Sequence, residues 1–174
     1  FGYALVGGIF LLSRYWRESF QQISRYLLGG GLLLLYFATL RLSHFTTAPA
    51  ITSQAIELPL LLVVVAYNLS VAFKRQSLYL TASHLALGYL TVLIGGQTFF
   101  VLSILTLLSA IVVFFTLKFR WNSLLAIGII LTYLTHFIWT ANNPFFGNTL
   151  QFGLSPQIHL AFILLYTIIF AGAE

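Results

Sequence analysis

The stretch FFVLSILTLLSAIVVFFTLKFRWNSLLAIGIILTYLTHFIW, residues 99–139, decides the fold of this chain. It contains two long apolar runs that are separated only by the basic turn Lys118-Phe119-Arg120. A helix needs roughly 20 apolar residues to cross the hydrocarbon core of a bilayer, and a short turn makes neighbouring helices antiparallel. The stretch therefore predicts a pair of transmembrane helices.

The composition of the whole chain indicates the same class of protein. Of 174 residues, 60% are hydrophobic and only 6% are charged, and the mean hydropathy is +0.98. A soluble domain could not cover so much apolar surface, because its exterior carries far more charge. We therefore predict an all-α, polytopic transmembrane bundle of about seven helices, with residues 1–174 forming a single transmembrane region.

Seven apolar runs are bounded by basic or turn-forming residues. They are Tyr3–Tyr15, Ser24–Arg41, Ile56–Phe73, Leu78–Gly95, Thr98–Leu117, Trp121–Trp139 and Pro156–Ala173. Ser155-Pro156 is typical of a helix N-cap followed by proline in the first turn. The chain opens with Phe1 inside an apolar run and contains no Met, so we expect it to be an internal piece of a longer protein.

The basic residues predict how the chain crosses the membrane. All but one lie in the connectors that follow the first, third and fifth runs: Arg14, Arg17, Arg25, Lys74, Arg75, Lys118 and Arg120. Only Arg41 falls on the opposite side. Because Lys and Arg are enriched in cytoplasmic loops, we expect Phe1 outside and Glu174 in the cytoplasm. The charges are scattered and form no basic face, which argues against a nucleic-acid partner.

Residues that carry chemistry are few. There is no Cys, and the only acids are Glu18, Glu57 and Glu174, which excludes thiolate chemistry and disfavours paired-carboxylate catalysis. No HExxH or GxSxG pattern occurs, and the four histidines lack a metal-ligand spacing such as HxxxH. We therefore predict a protein that is not an enzyme and that holds no metal or cofactor.

One group of polar residues is expected at the outer ends of the helices. Arg41 ends the second run, Glu57 opens the third, His136 lies near the end of the sixth, and His159 follows the start of the seventh. An ionisable residue near the membrane is costly unless it is paired, so we expect Glu57 to pair with Arg41 or with a histidine. The ordinary alternative is that Glu57 complements the helix dipole and Arg41 snorkels to the headgroups.

A second polar set lies in the fourth run. The spacing of Thr81, His84 and Thr91 puts them on one side of a helix and predicts that they point into the bundle. His84 is then either a proton relay or ligand, or a member of interhelical hydrogen bonds that fix the packing. No acidic residue lies at the same depth, which favours the packing interpretation.

Glycines are frequent inside the apolar runs. Gly29-Gly30-Gly31 lacks the Lys-Ser/Thr of a phosphate-binding loop. Small residues let two membrane helices approach closely. We expect this role for Gly29-Gly30-Gly31, Gly7-Gly8, Gly95-Gly96 and Gly128.

The order of segments resembles a bacterial family of multi-pass membrane proteins, domain of unknown function 2339. The resemblance rests on RYLLGGGLLLLYFATLRLSHF (25–45), AFKRQSLYLTASHLALGYLTVLIGG (72–96) and FFVLSILTLLSAIVVFFTLKFRWNSLLAIGIILTYL (99–134), and it covers roughly residues 24–140. The family has no assigned active site, so the resemblance implies no catalytic residue. Its longer members carry many more spans, which again implies that this chain is a fragment.

The functional expectation follows from the scarcity of polar groups at mid-membrane depth, because a solute path normally needs more of them. We predict a non-enzymatic structural or assembly module of the bacterial cell envelope, in the inner membrane. Its expected partners are membrane lipids, other envelope proteins or the rest of its own chain. The alternative is a transporter or lipid-handling module that uses Arg41, Glu57, His136 and His159.

Overall fold

The computed structural model describes residues 1–45, 49–95, 97–141 and 156–173, which form seven α-helices and no strand. The helices are α1 (Gly2–Tyr15), α2 (Gln21–Leu40), α3 (Gln54–Arg75), α4 (Leu78–Ile94), α5 (Thr98–Phe119), α6 (Asn122–Thr140) and α7 (Pro156–Ala171). Each begins and ends within three residues of a predicted span, and the all-α prediction is confirmed. The predicted cap Ser155, the turn residue Gly96 and the terminal Glu174 lie outside the described residues.

Four of the helices are long and apolar enough to cross a membrane: α2, α3, α5 and α6. Their apolar stretches have 19 to 22 residues, and at 1.5 Å per residue a helix of about 20 residues covers roughly 30 Å. The remaining helices are shorter, with 14 residues in α1, 17 in α4 and 16 in α7. The fold is therefore compatible with insertion into a bilayer.

Local signals explain several helix ends. The Ser77 side chain caps α4, because its Oγ accepts a hydrogen bond at 3.4 Å from the backbone three residues later. Arg120 adopts the left-handed conformation, with φ 56°, and this ends α5. Glu57 lies in the first turn of α3, and Lys74 and Arg75 lie in its last turn. The side-chain charges at both ends therefore interact favourably with the helix dipole.

The first of two compact units comprises Phe1–Val71. Ser13 Oγ donates to the carbonyl of Ser24 at 2.9 Å, and Ser24 Oγ donates back to the carbonyl of Ser13 at 2.7 Å. Asn68 on α3 donates from Nδ2 to the carbonyl of Leu32 on α2 at 3.1 Å. Buried polar side chains thus tie the three helices of this unit together, as they do in membrane bundles.

The second unit comprises Ala72–Glu174 and contains α4 to α7 with the end of α3. Helix α6 packs against α4, α5 and α7. At one end, Phe73 packs edge-on against the rings of Phe115 and Phe119, with centroids 5.8 and 5.4 Å away. Helix α5 likewise packs against α4, α6 and α7, so α5 and α6 together form the centre of this unit. The prediction of a single transmembrane region for the whole chain stays a prediction.

The glycines divide into two groups. The predicted close approach is confirmed where an added Cβ would crowd a neighbouring side chain: Gly31 against Phe10, Gly95 against Val101, and Gly128 against Val112. The prediction is wrong where an added Cβ would meet nothing within 4 Å: Gly7, Gly8 and Gly30. All three of the latter are exposed. The physical reason is that an apolar run does not reveal which of its residues face a neighbouring helix.

Candidate functional site

In the first unit, Glu57 meets the turn that follows α2. Its Oε1 accepts a hydrogen bond from Ser43 Oγ at 2.6 Å and lies 2.8 Å from His44 Nδ1. Glu57 is buried, with 7% of its surface exposed. Of the two kinds of partner expected for Glu57, the structure therefore shows a histidine. Arg41 is exposed directly after α2 and forms no ion pair within the part of the chain that the structure describes.

Ser43, His44 and Glu57 are the residue types of a nucleophilic triad, but their arrangement differs from one. Ser43 Oγ and Glu57 Oε1 both approach the same ring nitrogen, His44 Nδ1, at 3.1 and 2.8 Å. A triad needs the hydroxyl and the carboxylate at opposite ring nitrogens, so that the imidazole can take the hydroxyl proton while the carboxylate orients it. Here the hydroxyl donates directly to the carboxylate. The cluster joins the turn after α2 to the first turn of α3 by polar contacts. This arrangement does not activate the Ser43 hydroxyl as a nucleophile.

In the second unit, the end of α6 and the start of α7 bring His136 and His159 together. His136 Nε2 lies 3.2 Å from His159 Nδ1, and the two rings are nearly perpendicular. Both residues are buried, with 4% and 8% of their surfaces exposed. The ring of Tyr166 lies edge-on to His136, with centroids 5.7 Å apart. Two of the four residues predicted to form an outer cluster are thus in direct contact.

The hydrogen bonds of this pair leave one nitrogen without a partner. Thr140 Oγ1 donates to the carbonyl of His136 at 2.8 Å, so its oxygen is left to accept from His159 Nδ1, 3.4 Å away. The one Nδ1–H of His159 is then shared between Thr140 Oγ1 and His136 Nε2, and a neutral His136 carries its proton on Nδ1. In the opposite tautomer this Nδ1 is a bare lone pair. In both, His136 Nδ1 is buried with no hydrogen-bond partner among the described residues.

A polar network at the centre of the second unit was not predicted. Tyr89 on α4 lies with its hydroxyl 2.7 Å from Thr132 Oγ1 on α6, and Thr132 Oγ1 lies 3.2 Å from Ser109 Oγ on α5. Ser109 donates to the carbonyl of Leu105 at 2.9 Å. The hydrogen bonds therefore all have the same direction: Tyr89 donates to Thr132, Thr132 to Ser109, and Ser109 to a backbone carbonyl. Each hydroxyl thus has an acceptor. The only signal in the sequence was that Thr132 lies one helical turn before His136.

The polar set on α4 is buried. Thr81, His84 and Thr91 are each 0% exposed. Each of them bonds to the carbonyl four residues back along the chain, at 3.0, 2.6 and 2.9 Å. His84 Nε2 is buried and has no partner in the described part of the chain, so the interhelical bond expected of His84 is absent there. Tyr89 ties α4 to its neighbours instead.

The clusters offer too few ligands for an ordinary metal site. Within residues 1–45, 49–95, 97–141 and 156–173, no three side chains of His, Cys, Asp or Glu are grouped around one point. A zinc site needs at least three protein ligands, whereas the His136–His159 pair supplies two nitrogens. The expected absence of a metal or cofactor stays a prediction.

Compared with known proteins, the chain matches no family model, no curated protein and no solved structure. Its resemblance to domain of unknown function 2339 therefore stays a prediction.

Proposed function

We propose that this chain is a non-enzymatic structural or assembly module of the bacterial cell envelope, built into the inner membrane and related to domain of unknown function 2339. The observation that supports this most is the hydroxyl chain of Tyr89, Thr132 and Ser109. These polar groups are 2% exposed or less and satisfy one another across three helices. Polar groups used in this way hold helices together, whereas a solute path needs polar groups that face water.

Co-purification from native membranes tests this role. We expect the tagged protein to retain the same envelope proteins in the same proportions in wild type, in Glu57→Gln and in His136→Ala. The reason is that these substitutions leave the hydroxyl chain intact. Mass spectrometry of the purified complexes measures the bound proteins. A protein that purifies without any partner, yet carries a solute across proteoliposomes, would contradict the assembly role.

The proposed sidedness rests on the basic residues that flank α1, α3 and α5. The chain contains no Cys, so a single introduced thiol reports its own accessibility. We expect Ala50→Cys to react with a membrane-impermeant maleimide on intact cells, and Ser19→Cys and Asn122→Cys to react only after permeabilisation. All three native residues are exposed. The reverse labelling pattern would contradict the assignment of Phe1 to the outside and Glu174 to the cytoplasm.

A second function, transport or lipid handling, is supported by the His136–His159 pair. The buried Nδ1 of His136 offers a place for one proton or one hydrogen-bonding group of a solute. Arg41 and Glu57 supply charge at the connection between α2 and α3. Each of these two clusters, taken by itself, fits a site that binds a polar species in an otherwise apolar setting.

Flux measurements separate the second function from the first. Under the transport hypothesis, His136→Ala and Glu57→Gln abolish a flux or lipid phenotype at normal expression. Ser83→Ala is the control, because Ser83 is exposed and bonds only to its own helix. An unchanged phenotype in both site variants would remove the transport hypothesis and leave the assembly role.

A further inference from the structure

A groove runs between α1 and α2 in the first unit. It is lined by Ile9, Ile23, Tyr26, Leu27, Gly30 and Gly31. The lining is apolar apart from one phenol hydroxyl, and the groove encloses about 290 Å³, near the lower limit of roughly 300 Å³ for pockets that bind small organic molecules. The α2 positions share one helix face and extend about 10 Å along its axis.

No atom of the described residues explains why residue 30 is a glycine. Gly30 is exposed, and a Cβ at this position would meet nothing within 4 Å, whereas the neighbouring Gly31 is packed against Phe10. A glycine inside a helix is destabilising relative to alanine. The consequence of the missing side chain is that the groove stays open. Gly8 has equally open surroundings but does not line the groove, and it provides a matched control.

A basic turn joins α1 to α2 and directly precedes Ile23, the groove residue nearest the start of α2. Arg14, in the last turn of α1, and Arg17 are exposed, and Glu18 is the one acidic residue between them and Ile23. Trp16 packs edge-on against Phe20, with centroids 6.1 Å apart, and such aromatic pairs are typical of the headgroup level. The groove therefore starts beside a basic, aromatic turn and runs on along the apolar part of α2.

We infer that this groove binds one anionic phospholipid, with an acyl chain along Leu27 and Gly30 and the phosphate against Arg14 and Arg17. A groove in a membrane helix pair is filled by whatever surrounds it, and there the surrounding molecules are acyl chains. Arginine forms strong, paired hydrogen bonds with phosphate oxygens. Basic residues beside a membrane helix favour anionic over neutral headgroups. This site rests on the proposed membrane location but not on the assembly role.

Blocking the groove is the first test. The purified chain in detergent micelles is titrated with dioleoyl phosphatidylglycerol, and bound lipids are counted by native mass spectrometry. Wild type is expected to retain one lipid. Gly30→Leu fills the groove and is expected to lose that lipid, whereas Gly8→Leu retains it. Leu27→Trp fills the same groove from a second position, so a folding defect in one variant does not decide the outcome.

Removing the charge is the second test. Arg14→Gln combined with Arg17→Gln is expected to weaken phosphatidylglycerol binding about thirtyfold, since each basic residue near the headgroups favours an anionic lipid by a factor of about five. Binding of dioleoyl phosphatidylcholine is expected to weaken less, because its choline cation offsets the charge of its phosphate. Arg25→Gln is the control, because Arg25 is two residues from Ile23 and therefore on the opposite face of α2.

Three results would overturn the assignment. The first is equal retention of lipid by Gly30→Leu and Gly8→Leu. The second is equal affinity of wild type for phosphatidylglycerol and phosphatidylcholine. The third is a change of oligomeric mass in Gly30→Leu alone, which would show that a second copy of the chain occupies the groove.

Discussion

The two ends of one face of α6 differ in how completely their residues are packed and hydrogen-bonded. On α6, Gly128, Thr132 and His136 follow one another at intervals of one turn. The first is packed against Val112 and the second has every hydrogen bond made, whereas the third reaches His159 and still leaves a nitrogen without a partner among the described residues. Completed contacts indicate a role in packing. An incomplete contact marks a group that can still form a hydrogen bond.

The first unit repeats this contrast between completed and open contacts. Ser13 and Ser24 exchange hydrogen bonds and close the α1–α2 seam. One to two turns further along α2, Gly30 leaves an open groove. In both units the packed and the open positions lie on the same helix, so ligand binding is to be sought at the open positions and assembly at the packed ones.

The largest effect is expected from breaking the packed half of α6. Gly128→Leu places atoms where the Val112 side chain lies. Because α5 and α6 would have to separate, we expect a loss of about 3 kcal/mol or more in unfolding free energy. Thermal unfolding in detergent, followed by tryptophan fluorescence, measures it. Gly7→Leu is the control, since its surroundings are open; equal melting temperatures for the two variants would contradict the packing role.

A smaller loss of unfolding free energy is expected from Thr132→Val. Valine keeps the shape of threonine but removes the acceptor for the Tyr89 hydroxyl, which is buried. Leaving such a donor unsatisfied costs about 1–3 kcal/mol. Denaturant titration of the purified chain gives the value, and Ser83→Ala should be unchanged. A loss no larger than that of Ser83→Ala would mean that the hydroxyl chain does not hold the bundle.

In the first unit, Glu57→Gln is expected to lower the unfolding free energy less than Thr132→Val does. The amide oxygen can still accept the hydrogen bond of Ser43, but the charge that faces His44 and the start of α3 is lost. We expect a loss of about 1 kcal/mol. The matched control is Glu18→Gln, which removes a charge from an exposed turn. If Glu57→Gln and Glu18→Gln have the same unfolding free energy, the buried contacts of Glu57 contribute nothing to stability.

The smallest change is expected at the open end of α6. The double variant His136→Leu, His159→Leu removes both partners and the unsatisfied nitrogen together. Replacing both partners by apolar groups of similar size is close to neutral, so we expect a change within about 0.5 kcal/mol. The same unfolding measurement applies. A loss as large as that of Thr132→Val would show that the histidine pair is a packing element like the rest of the face.

The helices could be predicted well because the residues that begin and end each helix are its neighbours in the sequence. The basic turn at Lys118 and Arg120 ends α5, and α4, which Ser77 caps, begins at Leu78 as predicted. Contacts between helices could not be predicted in the same way. Tyr89 and Thr132 are 43 residues apart, and the alternatives for Glu57 depended on how the chain turns after α2. Only tertiary structure separates Gly30, which is open, from Gly31, which is packed.

The spacing of the α6 face has a geometric consequence. Four residues turn an α-helix through about 400°, so each step from Gly128 to Thr132 to His136 rotates the side chain by roughly 40° relative to the last. The face therefore winds around α6 and meets α5 at Gly128, α4 and α5 at Thr132, and α7 at His136. Deleting one residue between Thr132 and His136 would turn the imidazole about 100° away from α7 while leaving the composition of the helix almost unchanged. The register of α6 matters as much as the identity of its residues.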